Sequence, residues 1–206
     1  MSRFEGCNDA FAHAIARARD MIQLFNGLSH IRRDPANDDA LRAAYFQAVS
    51  SFDFYVHEIV AIEASYRFRN AIPTRNIVLP MEITMISGAE ERYTAVDADI
   101  RERNSYKAFV DPQKLSEVLS CFCNKPWELI VENHNELHNE NVDKSSLMAQ
   151  LKSIWKRRNK IAHEADVNPT LSGISLWPID QADTEITVRF VEKLGQCLPN
   201  VVSNLL

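Results

Sequence analysis

The chain has 206 residues, 46% of them hydrophobic and 25% charged, with 28 acidic against 23 basic side chains. That length suits one domain able to bury roughly 70% of its unfolded surface, and the net charge of -5 argues against a protein that coats nucleic acid nonspecifically. Residues Met1 to Phe11 carry Arg3, Glu5 and Asp9 with no apolar core, so a signal peptide is not expected, and no apolar run approaches the ~18 residues of a membrane span. Four cysteines, Cys7, Cys121, Cys123 and Cys197, then fit a reducing, cytoplasmic compartment as buried thiols.

Glycine is scarce, five residues against a usual share of about 7%, and neither glycine nor proline occurs between Ala36 and Ile72 or between Trp127 and Asn168. Stretches so free of breakers suit helices. The first, with Phe11, Ile15, Ala18, Ile22 and Phe25 at steps of four and three, presents one apolar stripe, with Asn8 or Asp9 placed to cap it and Gly27 near its end. The second repeats the pattern through Leu41, Tyr45, Ala48, Phe52, Tyr55 and Ile59 after Asp38-Asp39, and should pair antiparallel with the first around Pro35.

Residues 71–110 read as an irregular insertion, broken by Pro73, Pro80 and Gly88, with Ile77-Val78-Leu79 as a short strand or packed loop and a modest helix after Asp97. Pro112 opens a short helix through Cys121, and Pro126 suits the first turn of another. His138 to Asp143 is a polar break, and Ser146 to Glu164 is periodic again. Pro169, Gly173 and Pro178 mark a loop before a closing helix over Thr184 to Leu198. The expected architecture is all-α: a single-domain helical bundle over 1–206 with the insertion at 71–110.

The stretch with most chemistry runs from Lys152 to Asp166 and packs Lys152, Lys156, Arg157, Arg158 and Lys160 into nine residues of an acidic chain. On a helix, Leu147, Leu151, Ile154 and Ile161 form an apolar stripe, and Arg158 stands in it where an aliphatic residue is expected. Lys152, Lys156, Asn159 and His163 form the neighbouring polar row. Arg158 and His163 are five positions apart, about 140° around an ideal helix. A site using both needs the arginine to reach around, or a second surface to close over the helix.

Arg158-Asn159-Lys160-Ile161-Ala162-His163 resembles the signature of the HEPN superfamily: an arginine, a polar residue, then a histidine after a short gap. The continuation Glu164-Ala165-Asp166, the proline-containing loop and the last helix resemble its RiboL-PSP subgroup, as does Ser51 to Glu58 with Asp53 and His57. Arg157 satisfies the same spacing, with Arg158 preferred because Asn159 follows it.

The resemblance implies a metal-independent endoribonuclease, a hydrolase in the broad sense, without cofactor. It further implies a homodimer with a composite site, in antiviral defence or a toxin–antitoxin system. Its partners would be RNA (tRNA among the candidates) and a neutralising or activating protein. Arg158, His163 and Asn159 would carry the chemistry, and Asp53, His57, Arg157 and Glu164 would be accessory. Lys152, Lys156 and Lys160 would bind RNA. The chemistry suits the residue types. Attack by a 2′-hydroxyl needs a base, an acid and positive charge on the phosphorane, and two copies of the helix would supply two histidines and two arginines.

Two other readings compete. The first is a HEPN-like dimer that binds a protein or nucleotide partner without cleaving; separately, a structural role would have Arg158 pair with Glu164 or Asp166 and His163 meet terminal carbonyls. The second is a small metal hydrolase on His134, Glu136 and His138, which lacks the His-Glu-x-x-His order. Trp127, Trp155 and Trp177 read as core residues.

Overall fold

A computed structural model describes residues 2–32, 34–171 and 175–203, so Gly173 of the expected loop lies outside the described residues. These form α1 (Glu5–Ile31), a 3₁₀ turn (Pro35–Asn37), α2 (Asp38–Arg69), α3 (Met81–Thr84) and α4 (Ala89–Asn104). Then follow α5 (Pro112–Leu119), α6 (Pro126–His138), α7 (Lys144–His163) and α8 (Gln181–Ser203). The fold is all-α, and among the described residues the sole β pairing is an isolated bridge between Val167 and Leu176.

The α1 stripe is as spaced in the sequence, with Phe11, Ile15, Ala18 and Ile22 buried. Its start is not. The helix begins at Glu5, ahead of both expected caps, because Phe4 is itself buried and draws another turn of chain onto the core. Asn8 lies inside the helix and accepts a hydrogen bond from the Tyr55 hydroxyl at 2.6 Å. The Asp34 side chain instead caps the 3₁₀ turn, accepting from the Ala36 amide at 3.0 Å.

Pairing of α1 with α2 is antiparallel. Phe11 stacks on Tyr55 with ring centroids 4.4 Å apart, while Arg3 at one extremity reaches Glu63 near the far end of α2 at 2.7 Å. Helix α2 is the central rod, packed by α1, α4, α7 and α8 and buried around most of its circumference from Leu41 to Arg67. Such burial forces its polar residues into pairs. Glu63 and Arg67, both nearly inaccessible, bond at 2.7 Å, and Arg67 also donates to the carbonyls of Pro73 and Val202. That network ties α2 to the start of the 71–110 segment and to the end of α8.

Within that segment α4 is longer than the modest helix expected after Asp97, starting at Ala89. Only Val96 and Ile100 of this helix are buried, too few to write a visible stripe. It is tied to α2 by polar contacts, Ser65 to Asp97 at 3.1 Å and Arg101 to Glu58, and by the edge-to-face rings of Phe68 and Tyr93, centroids 6.0 Å apart. Glu90 and Glu91 in its first turn favour the start electrostatically. Residues 77–79 are loop rather than strand.

Helix α8 is longer than Thr184 to Leu198 at both ends and runs through Pro199. Its Gly195 meets α1 closely, since a Cβ there would lie 2.5 Å from Cε1 of Phe11. Trp127 is buried and donates to the Pro112 carbonyl at 3.1 Å, as a core residue should. Trp155 and Trp177 are only half-buried.

Candidate nucleic-acid site on α7

Asp143 starts α7, accepting hydrogen bonds from the Ser145 hydroxyl and from the Ser146 hydroxyl and amide, which hold its carboxyl well below the usual range. Leu147, Leu151 and Ile154 bury the first face, and Tyr45 of α2 donates to the Ile154 carbonyl at 3.4 Å. Arg158 comes next in this stripe. It is half-buried against α2, its guanidinium carbon 5.2 Å from the Phe46 ring centroid and its Nη2 3.5 Å from the Ser50 hydroxyl. Nη1 donates to Oδ1 of Asn159 at 3.2 Å, while the buried Nε has no hydrogen-bond partner.

Arg158 forms no ion pair within the described residues, so the pairing with Glu164 or Asp166 is not made. Asp166 is taken by two other arginines. Its carboxylate, buried to 1% exposure, lies 2.8 Å from Arg157 and 2.9 Å from Arg42. Arg157 also donates to the Pro178 carbonyl, and Arg42 to that of Trp177. Ala165 and Asp166 both adopt left-handed backbone, with φ of 48° and 56°, which stops α7 and turns Asp166 back toward α2. The Asp166 amide donates to the Lys160 carbonyl and the Trp177 amide to that of Asp166. Glu164-Ala165-Asp166 is therefore a helix stop and clamp, with Glu164 exposed and Asp166 at its centre.

His163, the last helical residue, is exposed, and its ring makes no hydrogen bond or ion pair with the described residues. Among the described residues no hydrogen bond or ring contact joins it to Arg158. Lys152 and Lys156 are exposed, whereas Lys160 lies 4.3 Å from the Trp177 ring centroid and is half-buried there.

Asp53 and His57 face the 71–110 segment. Asp53 accepts from the amides of Phe109 at 2.6 Å and Val110 at 3.2 Å, and His57 Nε2 meets the Lys107 carbonyl at 3.1 Å. Burial pushes the Asp53 carboxyl up, while His57, these two amides and the positive charge of Arg158 pull it down. Phe46, Ser50, Asp53 and His57, at steps of four, three and four, thus form one α2 stripe from Arg158 to the loop after α4. Arg42, Phe46 and Ser50 were not evident as site residues in the sequence. The signal for the last two was that same spacing.

The His134, Glu136 and His138 set does not converge. The His134 and His138 rings pack edge to face with centroids 4.9 Å apart, Glu136 is exposed, and His138 meets the Lys193 carbonyl at 3.3 Å. Among the described residues no group of His, Cys, Asp or Glu is arranged to hold a metal ion. No described helix is long and apolar enough to cross a membrane.

A family model, RiboL-PSP-HEPN, matches residues 12–204, taking in α2, the arginine-to-histidine stretch of α7 and α8. The chain belongs to the RiboL-PSP-HEPN family. Membership carries a coarse assignment to RNA-related, often ribonucleolytic, chemistry. No curated protein and no solved structure matches the chain.

Proposed function

We propose that the chain, acting as one domain, is a metal-independent endoribonuclease that works as a homodimer, with Arg158 and His163 of both copies forming the cleavage site. One observation carries this reading. Of the two neighbouring arginines that fit the motif, Arg157 is spent on the buried Asp166, while Arg158 forms no ion pair among the described residues and keeps its guanidinium beside Asn159. A planar cation held in no ion pair among the described residues, next to an exposed histidine-bearing helix end, is suited to a phosphodiester.

In this mechanism one His163 takes the proton of the 2′-hydroxyl as the oxygen attacks the adjacent phosphorus. The other His163 gives a proton to the departing 5′-oxygen, leaving a 2′,3′-cyclic phosphate. Arg158 balances the charge that builds on the non-bridging oxygens, and Asn159 holds Arg158 in place. Since Arg158 and His163 lie on different faces of α7, closure by a second copy supplies what one helix lacks. Lys152 and Lys156 extend the positive surface along the strand, an electrostatic contribution that falls with salt. A role in antiviral defence or as a toxin held by a protein partner follows from such an activity.

The test is a gel assay of wild type and His163→Ala on total RNA and tRNA with chelator present, after circular dichroism shows equal helicity. Fragments with 2′,3′-cyclic phosphate ends from wild type alone are expected. Blank lanes for both would favour a HEPN dimer that binds without cutting.

A further inference from the structure

A cleft of about 390 Å³ opens between α2, α4 and α5, with none of the α7 cations in its lining. Its floor is apolar, formed by Val60, Ile100, Phe109 and Phe122, all buried. Its rim carries three cations and two carboxylates. Arg103 lies 2.9 Å from Asp99, and Lys114 lies 3.1 Å from Glu117, so two of the cations are neutralised. Lys107, also lining the cleft, is half-buried, and its ammonium bonds only the neutral Oδ1 of Asn104, at 2.9 Å. No carboxylate of the described residues lies within 4.0 Å of it. A concave apolar floor with one uncompensated, partly desolvated cation is a recognisable small-molecule site.

We propose that this cleft binds a small organic monoanion with an apolar body, its acid group on Lys107 and its body against Phe109 and Ile100. A carboxylate, a sulfonate or a singly charged phosphate ester shares that chemistry. The site is separate from the proposed cleavage residues and adds a function to them. Its wall is the segment that α2 grips through Asp53 and His57, with the His57 ring 4.4 Å from that of Phe109. An occupant on Lys107 and Phe109 therefore bears on the α2 stripe that ends at Arg158.

The probe is 8-anilino-1-naphthalenesulfonate, with neutral N-phenyl-1-naphthylamine as its uncharged counterpart. Two half-buried thiols report where it sits. Cys121 lines this cleft, whereas Cys7 lines a different groove between α1 and α2. Single-site saturable fluorescence is expected, weakened about tenfold or more in Lys107→Gln and for the neutral compound, as loss of a charge-assisted contact implies. Alkylation of Cys121 by N-ethylmaleimide should slow several-fold with probe bound while Cys7 reacts as before, and His57 ring resonances should shift with the same half-saturation. Val78→Trp, which adds bulk at an exposed rim position, should abolish binding at unchanged melting temperature. Protection of Cys7 instead, equal binding of the neutral compound, or no saturable binding overturns the proposal. Unmoved His57 resonances overturn the link to α2. None of these readouts uses RNA, so their failure and failure of the endoribonuclease reading are told apart.

Discussion

Arg157 Nη1 lies 2.8 Å from Oδ1 of Asp166, a carboxylate that also receives Arg42 from α2 at 2.9 Å. Three elements therefore meet on one buried charge: the end of α7, the start of α2 and the loop before α8. Removing a buried carboxylate from between two arginines leaves both uncompensated. Asp166→Ala should cost about 3–5 kcal/mol in urea unfolding. Arg157→Ala should cost less because Arg42 remains, and Arg158→Ala, which breaks no ion pair, should stay within about 1 kcal/mol of wild type. Equal losses for Arg157→Ala and Arg158→Ala would contradict this division of labour.

The two motif residues should behave as a catalytic unit. Arg158→Ala and His163→Ala are each expected to lower RNA cleavage by about 10²-fold or more with the fold intact, in keeping with loss of charge stabilisation or proton transfer. Specific activity should also rise with protein concentration in step with the dimer fraction seen by sedimentation. Constant specific activity down to a fully monomeric sample would remove the composite site.

His134 predicts a pH effect on stability. Burial and then the charges of His138 and Lys193 push its imidazole below the ordinary value of 6.5, against Glu140, whose Oε2 lies 3.7 Å from Nδ1, and that Nδ1 has no hydrogen-bond partner among the described residues. A base with a depressed folded pKa contributes stability that is complete above the unfolded value and is lost as pH falls toward the folded one. The unfolding midpoint should therefore drop between about pH 7 and pH 5 more steeply in wild type than in His134→Asn. Parallel curves would show that His134 is not the group responsible.

Gly195 tests the α1–α8 approach. Glycine to alanine inside a helix usually gains about 1 kcal/mol. Here the added methyl would meet the Phe11 ring at 2.5 Å, and that ring is stacked on Tyr55. Gly195→Ala should destabilise by about 1–3 kcal/mol in thermal or urea unfolding, the range for overpacked cores. A stabilised variant would mean that the ring moves freely.

The stripes of α1, α2 and the first half of α7 were legible because each helix packs on one continuous apolar surface, and the period of burial is then written in the residues. Only the part of α4 after Asp97 was legible because Val96 and Ile100 alone of this helix are buried, and the start of α1 escaped prediction because buried Phe4 outweighed the local preference of Asn8 and Asp9. Arg158 stood out as a break in an apolar stripe, and it is the position where α7 turns a cation toward Ser50 and Phe46. Asp53 and His57 were recognisable as a pair. Their grip on Lys107, Phe109 and Val110 was not, since those residues lie some fifty positions away.

By itself the sequence determined the all-α class, the order of the long helices and the arginine-to-histidine stretch, because helical burial and motif spacing are local properties of the chain. Only the tertiary structure decided how the neighbouring arginines divide. The carboxylate that takes Arg157 comes from a left-handed turn after α7, and the second arginine on it comes from α2. Such a pairing depends on where helices cross, which no local spacing encodes. It leaves Arg158 outside every ion pair among the described residues, with its guanidinium beside Asn159.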